Sequence, residues 1–304
     1  MTGFALPSGY VSHVDRLLLG IQPIDGVRDQ PLTHCIEIVV EPRKPLIEPL
    51  TSLQQRWLTG LADSRKPLSD TWPRASRHVS GRHAVTYEAK RGAHLDIRIL
   101  DRSQRIVPRR IRVPLVDLGT PESLDVLDAL PASRRSRFPS LLPGAAYDIT
   151  ERVTGLRGRV VVSDGGTPPK RIPVRWPRVL ARLASGGAPL AWAHGDQFGE
   201  FVLILPPEAI AMPAVVIPRT LELLITAFGR RGIPAGAPPA LVRKADPFWD
   251  LPLEEIGPPS VAPAVDATAR GRAIPADYDG SDSQNITFSY TQFISSGIPP
   301  FDIT

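Results

Sequence analysis

The chain has 304 residues, 42% of them apolar, and a single cysteine, Cys35. That length accommodates two ordinary domains; the apolar content excludes global disorder, and the lone cysteine excludes an internal disulfide framework and a Cys-rich zinc site. The formal charge is +5, but 31 of the 36 basic residues are Arg and Asn occurs once, a pattern we read as the bias of a GC-rich coding sequence rather than as a nucleic-acid footprint.

Residues 1–118 read as a β domain. Segments 14–21, 35–40 and 82–89 are its first strand candidates, with Cys35 placed inside an apolar strand beside Ile36 and Ile38 as a small buried hydrophobe. Between them Thr51 or Ser52 caps a predicted helix that carries Leu53, Trp57, Leu58 and Leu61 on one stripe. Residues 94–100 set Leu95, Ile97 and Ile99 on one face, with Asp96 and Arg98 on the other. The return, 105–115, points Ile111 and Val113 inward and Arg110 and Arg112 outward, which predicts a hairpin.

Residues 119–146 connect this domain to the next. Thr120, Pro121 and Glu122 make a helix start, Leu124, Leu127 and Leu130 share a face, and Pro131 stops it. A second domain, 147–229, carries strand candidates at 156–163, 172–183, 190–194, 200–205 and 217–228. In 200–205, Phe201, Leu203 and Leu205 alternate with Val202 and Ile204. A strand apolar on both faces must be covered twice, once by its own sandwich and once by something else.

The last segment, 230–304, is the proline-rich part. Of 34 prolines, thirteen fall between Pro206 and Pro275, and each denies a backbone donor and fixes φ, so a helix-rich C-terminal third is excluded. We expect an extended arm that ends in a strand, with Ile286, Phe288 and Tyr290 alternating against Thr287, Ser289 and Thr291, and Phe293 just beyond. Such a strand on a tether suits addition to a neighbouring subunit's sheet, with Ile286, Phe288, Tyr290 and Phe293 as the partner-binding residues. The alternative is that it folds back on its own first domain. The fold class is therefore all-β: two β-sandwich domains, a short connecting helix and an extended arm.

One stretch carries a resemblance. Gly158, Val160, Val174 and Trp176 lead to Asp196, Gly199, Phe201, Leu203, Leu205 and Pro206, a series that resembles the transthyretin-like, carboxypeptidase-regulatory-like β-sandwich. The Asp supplies acceptors for backbone donors and the Gly a positive φ, which together turn the chain into the final strand. His194 and Gly195 precede the Asp where that family usually has Thr. The resemblance implies a fold and an accessory, adhesive or scaffolding role. The whole layout is also similar to proteins that accompany phage-tail-like contractile injection particles, which implies a cap, baseplate or adaptor.

The chain carries no catalytic signature. The six histidines form neither a His-Glu-x-x-His nor a His-x-x-Glu-His pair, and no nucleophile elbow, phosphate loop or dinucleotide fingerprint occurs. A metal site can be drawn through His78, His83 and His94, and a calcium loop through Asp279, Ser281 and Asp282, but exposed polar residues are the simpler reading of both. His194 with Asp196 reads as a pair of turn residues, and Glu254 with Glu255 as surface acids. The sequence thus predicts a non-enzyme with no catalytic residue, cofactor or metal, whose partners are other protein subunits, self-association being left open. It predicts no nucleic-acid partner. No run of about 18 apolar residues is present, so the expectation is a cytoplasmic protein without membrane insertion that leaves the cell only within a larger particle. The alternative is a carbohydrate- or surface-binding module that stacks ligands on Trp72, Trp176 or Trp192.

Overall fold

In the computed structural model the described residues are 17–42, 46, 49–64, 66–86, 93–115, 135–149, 153–206, 220–257, 266–289 and 291–304. The predicted helix around 120–130 and the partner residue Tyr290 lie outside them. The first strands are β1 (Leu17–Ile21), β2 (Ile24–Asp25), β3 (Gln30–Pro31) and β4 (Glu37–Val40), followed by helix α1 (Ser52–Ser64). Then come β5 (Ser76–Arg77), β6 (His83–Thr86), β7 (His94–Leu100), β8 (Arg109–Pro114), β9 (Ser136–Arg137) and β10 (Ser140–Leu141). The second half opens with β11 (Gly155–Ser163), β12 (Arg171–Pro173), β13 (Arg178–Leu183), β14 (Ala191–His194), β15 (Glu200–Ile204) and β16 (Thr220–Gly229). It closes with α2 (Ala240–Ala245), β17 (Leu253–Glu255), β18 (Gly280–Ser289), β19 (Phe293–Ile294) and β20 (Phe301–Asp302). The protein is all-β in class, as the alternation predicts.

The first body stacks the sheets β5-β6-β1-β9, β10-β2-β3 and β17-β8-β7-β4. Its clearest pair is the β7–β8 hairpin, where Leu95 faces Val113 and Ile97 faces Ile111 in the interior. The second body opposes β14-β13-β16-β18 to a sheet in which β11 pairs β15 and β12, with β19 and β20 also on β11. β15 joins the two bodies. Phe201, Leu203 and Leu205 enter the second core, while Val202 and Ile204 enter the first, so the doubly apolar strand is covered twice as its pattern requires.

Local chemistry explains several corners. Thr51 and Gln54 form a reciprocal cap on α1: the Thr51 Oγ1 accepts from the Gln54 backbone N–H at 3.3 Å, and the Gln54 Oε1 accepts from that of Thr51 at 2.9 Å. The Asp196 Oδ1 accepts from the backbone N–H groups of Phe198 and Glu200 at 2.8 and 3.0 Å. Gly199 there has φ 76°, and a Cβ on it would lie 2.4 Å from the Val160 carbonyl oxygen, so only glycine fits the corner.

Four expectations need correction. The segment 172–183 is two strands, β12 and β13, broken where Trp176 adopts φ 57°, so Trp176 is not a strand residue. Cys35 is exposed, because β4 begins two residues after it at Glu37. On α1 only Leu58 is fully buried and Leu61 half-buried, while Leu53 and Trp57 remain exposed. The largest correction concerns the C-terminal segment. β18 pairs antiparallel with β16 of the same chain along ten residues, from Thr220 opposite Ser289 to Gly229 opposite Gly280. Phe288 and Phe301 are 0% exposed in the second core. β17 meanwhile returns to the first body and pairs parallel with β8. The physical reason is the unpaired edge: without β18, β16 would leave one edge of a ten-residue strand, the backbone groups of alternate residues, unpaired beside an apolar interior. The described residues beyond 230 therefore form no free arm, and the strand folds back on the second body, not the first.

Candidate functional site

A broad concavity lies on the helical side of the first body. α1 and α2 pack through Leu58, Val242 and Ala245, with Leu68 added from the turn after α1, and set a ledge beside the sheet β17-β8-β7-β4. Pro234, Pro238 and Pro239 also line the concavity, where their lack of backbone N–H and fixed φ hold the loop extended before α2. The cleft has a volume of about 1120 Å³ and is lined by three tryptophans, Trp57, Trp72 and Trp249.

Paired charges make its floor. Arg98 on β7 donates from Nε to the Glu41 Oε1 at 2.6 Å and from Nη1 to the Asp246 Oδ2 at 2.7 Å, while its guanidinium lies 4.4 Å over the Trp72 ring. Arg110 on β8 grips the same Glu41 with two bonds of 2.7 and 2.6 Å. Alternation sends Arg110 away from the core as predicted; Arg98 points the same way but is buried by Trp72 and α2. At the far end Asp250 holds Arg175 through two bonds of 2.6 and 2.7 Å and accepts from the Trp176 Nε1 at 2.7 Å. Arg230 sits 3.4 Å from Asp277. Arg243 differs: its guanidinium lies 5.4 Å from the Trp249 ring centre, and no described carboxylate pairs with it.

This lining contains no histidine, lysine, serine or cysteine, and its one hydroxyl, on Thr71, already donates to the Leu68 carbonyl at 2.7 Å. Its carboxylates are held by guanidiniums. The arrangement offers aromatic faces and a cation, which suit binding more than proton transfer.

A second polar cluster is buried where the bodies meet. Glu254 on β17 accepts from the Arg109 Nη2 and from the Arg178 Nη2, both at 2.7 Å. Arg109 also donates to the carbonyls of Ser140 and Thr268, each at 2.6 Å, and of Ala269 at 3.2 Å. Burial alone pushes the Glu254 carboxyl up, and the charges of Arg109 and then Arg178 outweigh it, bringing it down to about 2. His194 is beside them, its Nε2 2.8 Å from the Gly271 carbonyl oxygen, and burial first, then the Arg178 charge, holds the ring well below its ordinary pKa. Glu254 is thus not a surface acid. The sequence carries no local signal for it, because in β17 Leu253 faces out and Glu254 faces in, the reverse of the usual pattern.

The other residues singled out from the sequence are scattered. Phe288 is enclosed in the second core, Ile286 is half-buried against it, and Phe293 is half-buried against the first core, so these three serve this chain's own packing. Phe288, with no exposed surface, has none to offer a partner. Trp176 is fully buried, Trp192 is half-buried on β14, and Trp72 lines the cleft. His83 is buried in β6, the His78 Nδ1 bonds Ser80, and His94 is exposed at the start of β7. Among the described residues no group of three metal-ligating side chains comes together. Asp196 serves its corner rather than His194. Asp279 and Asp282 accept backbone N–H groups of Arg231 and Asp302 at 2.9 and 3.1 Å. No described helix is long and apolar enough to cross a membrane. Compared with known proteins, the chain matches no family model, no curated sequence and no solved structure.

Proposed function

We propose that this protein is a non-enzymatic structural component of a multi-subunit assembly, docking other protein subunits through the tryptophan-lined cleft. The supporting observation is that four of the nine exposed large apolar side chains among the described residues lie in the cleft or close to it in sequence. Trp57 (43% exposed) and Leu253 (37%) line the cleft, Leu53 (77%) lies one helical turn from Trp57, and Ile233 (65%) adjoins the lining residue Pro234. Exposed apolar groups beside a concavity favour association. The transthyretin-like resemblance of residues 158–206 supports a scaffolding role, and the layout's similarity to proteins of contractile phage-tail-like particles makes a cap, baseplate or adaptor the specific reading. The C-terminal strand takes no part in this docking, since it is occupied within the chain.

The test is to purify contractile particles from cells carrying a tagged copy. The protein should co-sediment with them, and Trp57→Ala together with Leu53→Ala should release it while leaving the fold intact. A tagged wild-type protein found wholly free of particles counts against the proposal. A second reading, a carbohydrate- or surface-binding module, is favoured by the exposed Trp57 face alone, and a glycan array with the same double variant as control tests it.

A further inference from the structure

Among the described residues, one cation of the cleft has no carboxylate beside it. Arg98 and Arg110 share Glu41 and Asp246, Arg230 faces Asp277, and Arg175 neutralises Asp250. Arg243 alone is left without a carboxylate among the described residues, and its Nε is buried with no hydrogen-bond partner. A half-buried cation in this state gains from an anion that brings its own apolar surroundings.

We propose that the cleft takes an extended peptide segment of another protein in which an aspartate or glutamate stands beside proline or aliphatic residues. The carboxylate pairs with Arg243, and the apolar neighbours lie on Trp57. This rests on the docking reading above and names the chemistry of what docks.

Three observations favour a peptide of that kind. The volume, about 1120 Å³, exceeds the roughly 300–1,000 Å³ typical of small-ligand pockets. The walls carry Pro234, Pro238, Pro239 and Pro252, which have no N–H to donate. Recognition by strand addition is therefore disfavoured, whereas a polyproline-type segment needs only aromatic faces and shape. Finally, one guanidinium without a described carboxylate, that of Arg243, matches one carboxylate. A polyanion such as nucleic acid would place further phosphates against Glu41 and Asp277.

The experiment pans a phage-displayed random dodecapeptide library on the full-length protein and measures affinities of the enriched peptides as synthetic, fluorescein-labelled chains. The enriched sequences should carry one acidic residue next to proline or aliphatic residues. Arg243→Gln and Trp57→Ala should each weaken them by about tenfold or more, whereas Trp192→Ala, on the other body, should not. The midpoint of urea unfolding reports whether each variant is folded. Absence of enrichment, enrichment of acid-free sequences, or affinities indifferent to both cleft variants overturns the proposal. Glycan-array binding lost in Trp57→Ala, without peptide enrichment, assigns the cleft to sugars instead. If peptides fail while the Trp57→Ala and Leu53→Ala variant still leaves the particle, docking stands and only its chemistry is wrong. If the wild-type protein never joins a particle, the docking reading falls whatever the peptides do.

Discussion

At the scale of single residues the molecule depends on charge placed where charge is costly. Glu254 sits between two buried guanidiniums, and removing one member of such a group costs about 3–5 kcal/mol because the others stay behind unpaired. Glu254→Leu should therefore lower the free energy of unfolding by about that amount in urea titrations. Glu255→Leu, its exposed neighbour, should change it by less than about 0.5 kcal/mol. Acid should act through the same interior. The His83 ring is held at about 4, by burial first and then by the charge of Arg77, and His194 is also depressed. An unfolded histidine titrates near 6.5, so below that pH the unfolded chain takes up protons that the folded one refuses. Stability is thus full above about pH 6.5 and falls as pH drops towards about 4, with Glu254 adding a further loss between its unfolded value of about 4.3 and about 2. Unfolding midpoints taken from neutral pH downward check this, and a midpoint that holds or rises on acidification contradicts it.

At the scale of elements, β15 and β18 hold the two bodies in their observed form. The alternation of β15 is readable in the sequence, and both its faces are interior. Val202→Asp and Leu203→Asp should each destabilise by several kcal/mol, since each would bury a carboxylate with no cation opposite; on an ordinary half-exposed strand only one would. The alternation of β18 is equally readable, but its partner is not. Phe288, Phe301 and Ile303 are each buried in the second core, and side chains of this size contribute about 1.5–3 kcal/mol apiece. Removing residues 281–304 strips all three and exposes β16, against a total stability of about 5–15 kcal/mol. The truncated chain should lose its cooperative transition in circular dichroism and aggregate. A soluble, folded product would restore the free-arm reading.

For the whole molecule, the C-terminal third works as a lace. It leaves β16, crosses to the first body as α2 and β17, contributes Ile256 and Ala269 to the first core, and returns as β18 to β20 to close the second. Val202 and Ile204 of the second body fill the first core as well. The first core is incomplete without residues that lie beyond the first half of the chain, while the second is built from residues 156–303. Calorimetry should therefore give one transition whose calorimetric and van't Hoff enthalpies agree, although the chain is long enough for two domains. Two resolved transitions would show the bodies to be independent. A division into sequential domains at 118, 146 and 229 follows the local pattern of the chain, which carries no sign of this lacing.

What can be read in advance is local: the β7–β8 hairpin, the Thr51 cap, the Asp196–Gly199 corner and the two apolar faces of β15. Alternation, capping and turn chemistry act over a few residues, so the chain states them wherever they occur. The burial of Glu254 depends instead on Arg109 and Arg178, 145 and 76 residues away, and the cleft on two helices that lie far apart in the sequence. Whether a charged side chain faces water or an opposite charge is decided by what folds against it, and that partner exists only once the chain has closed on itself.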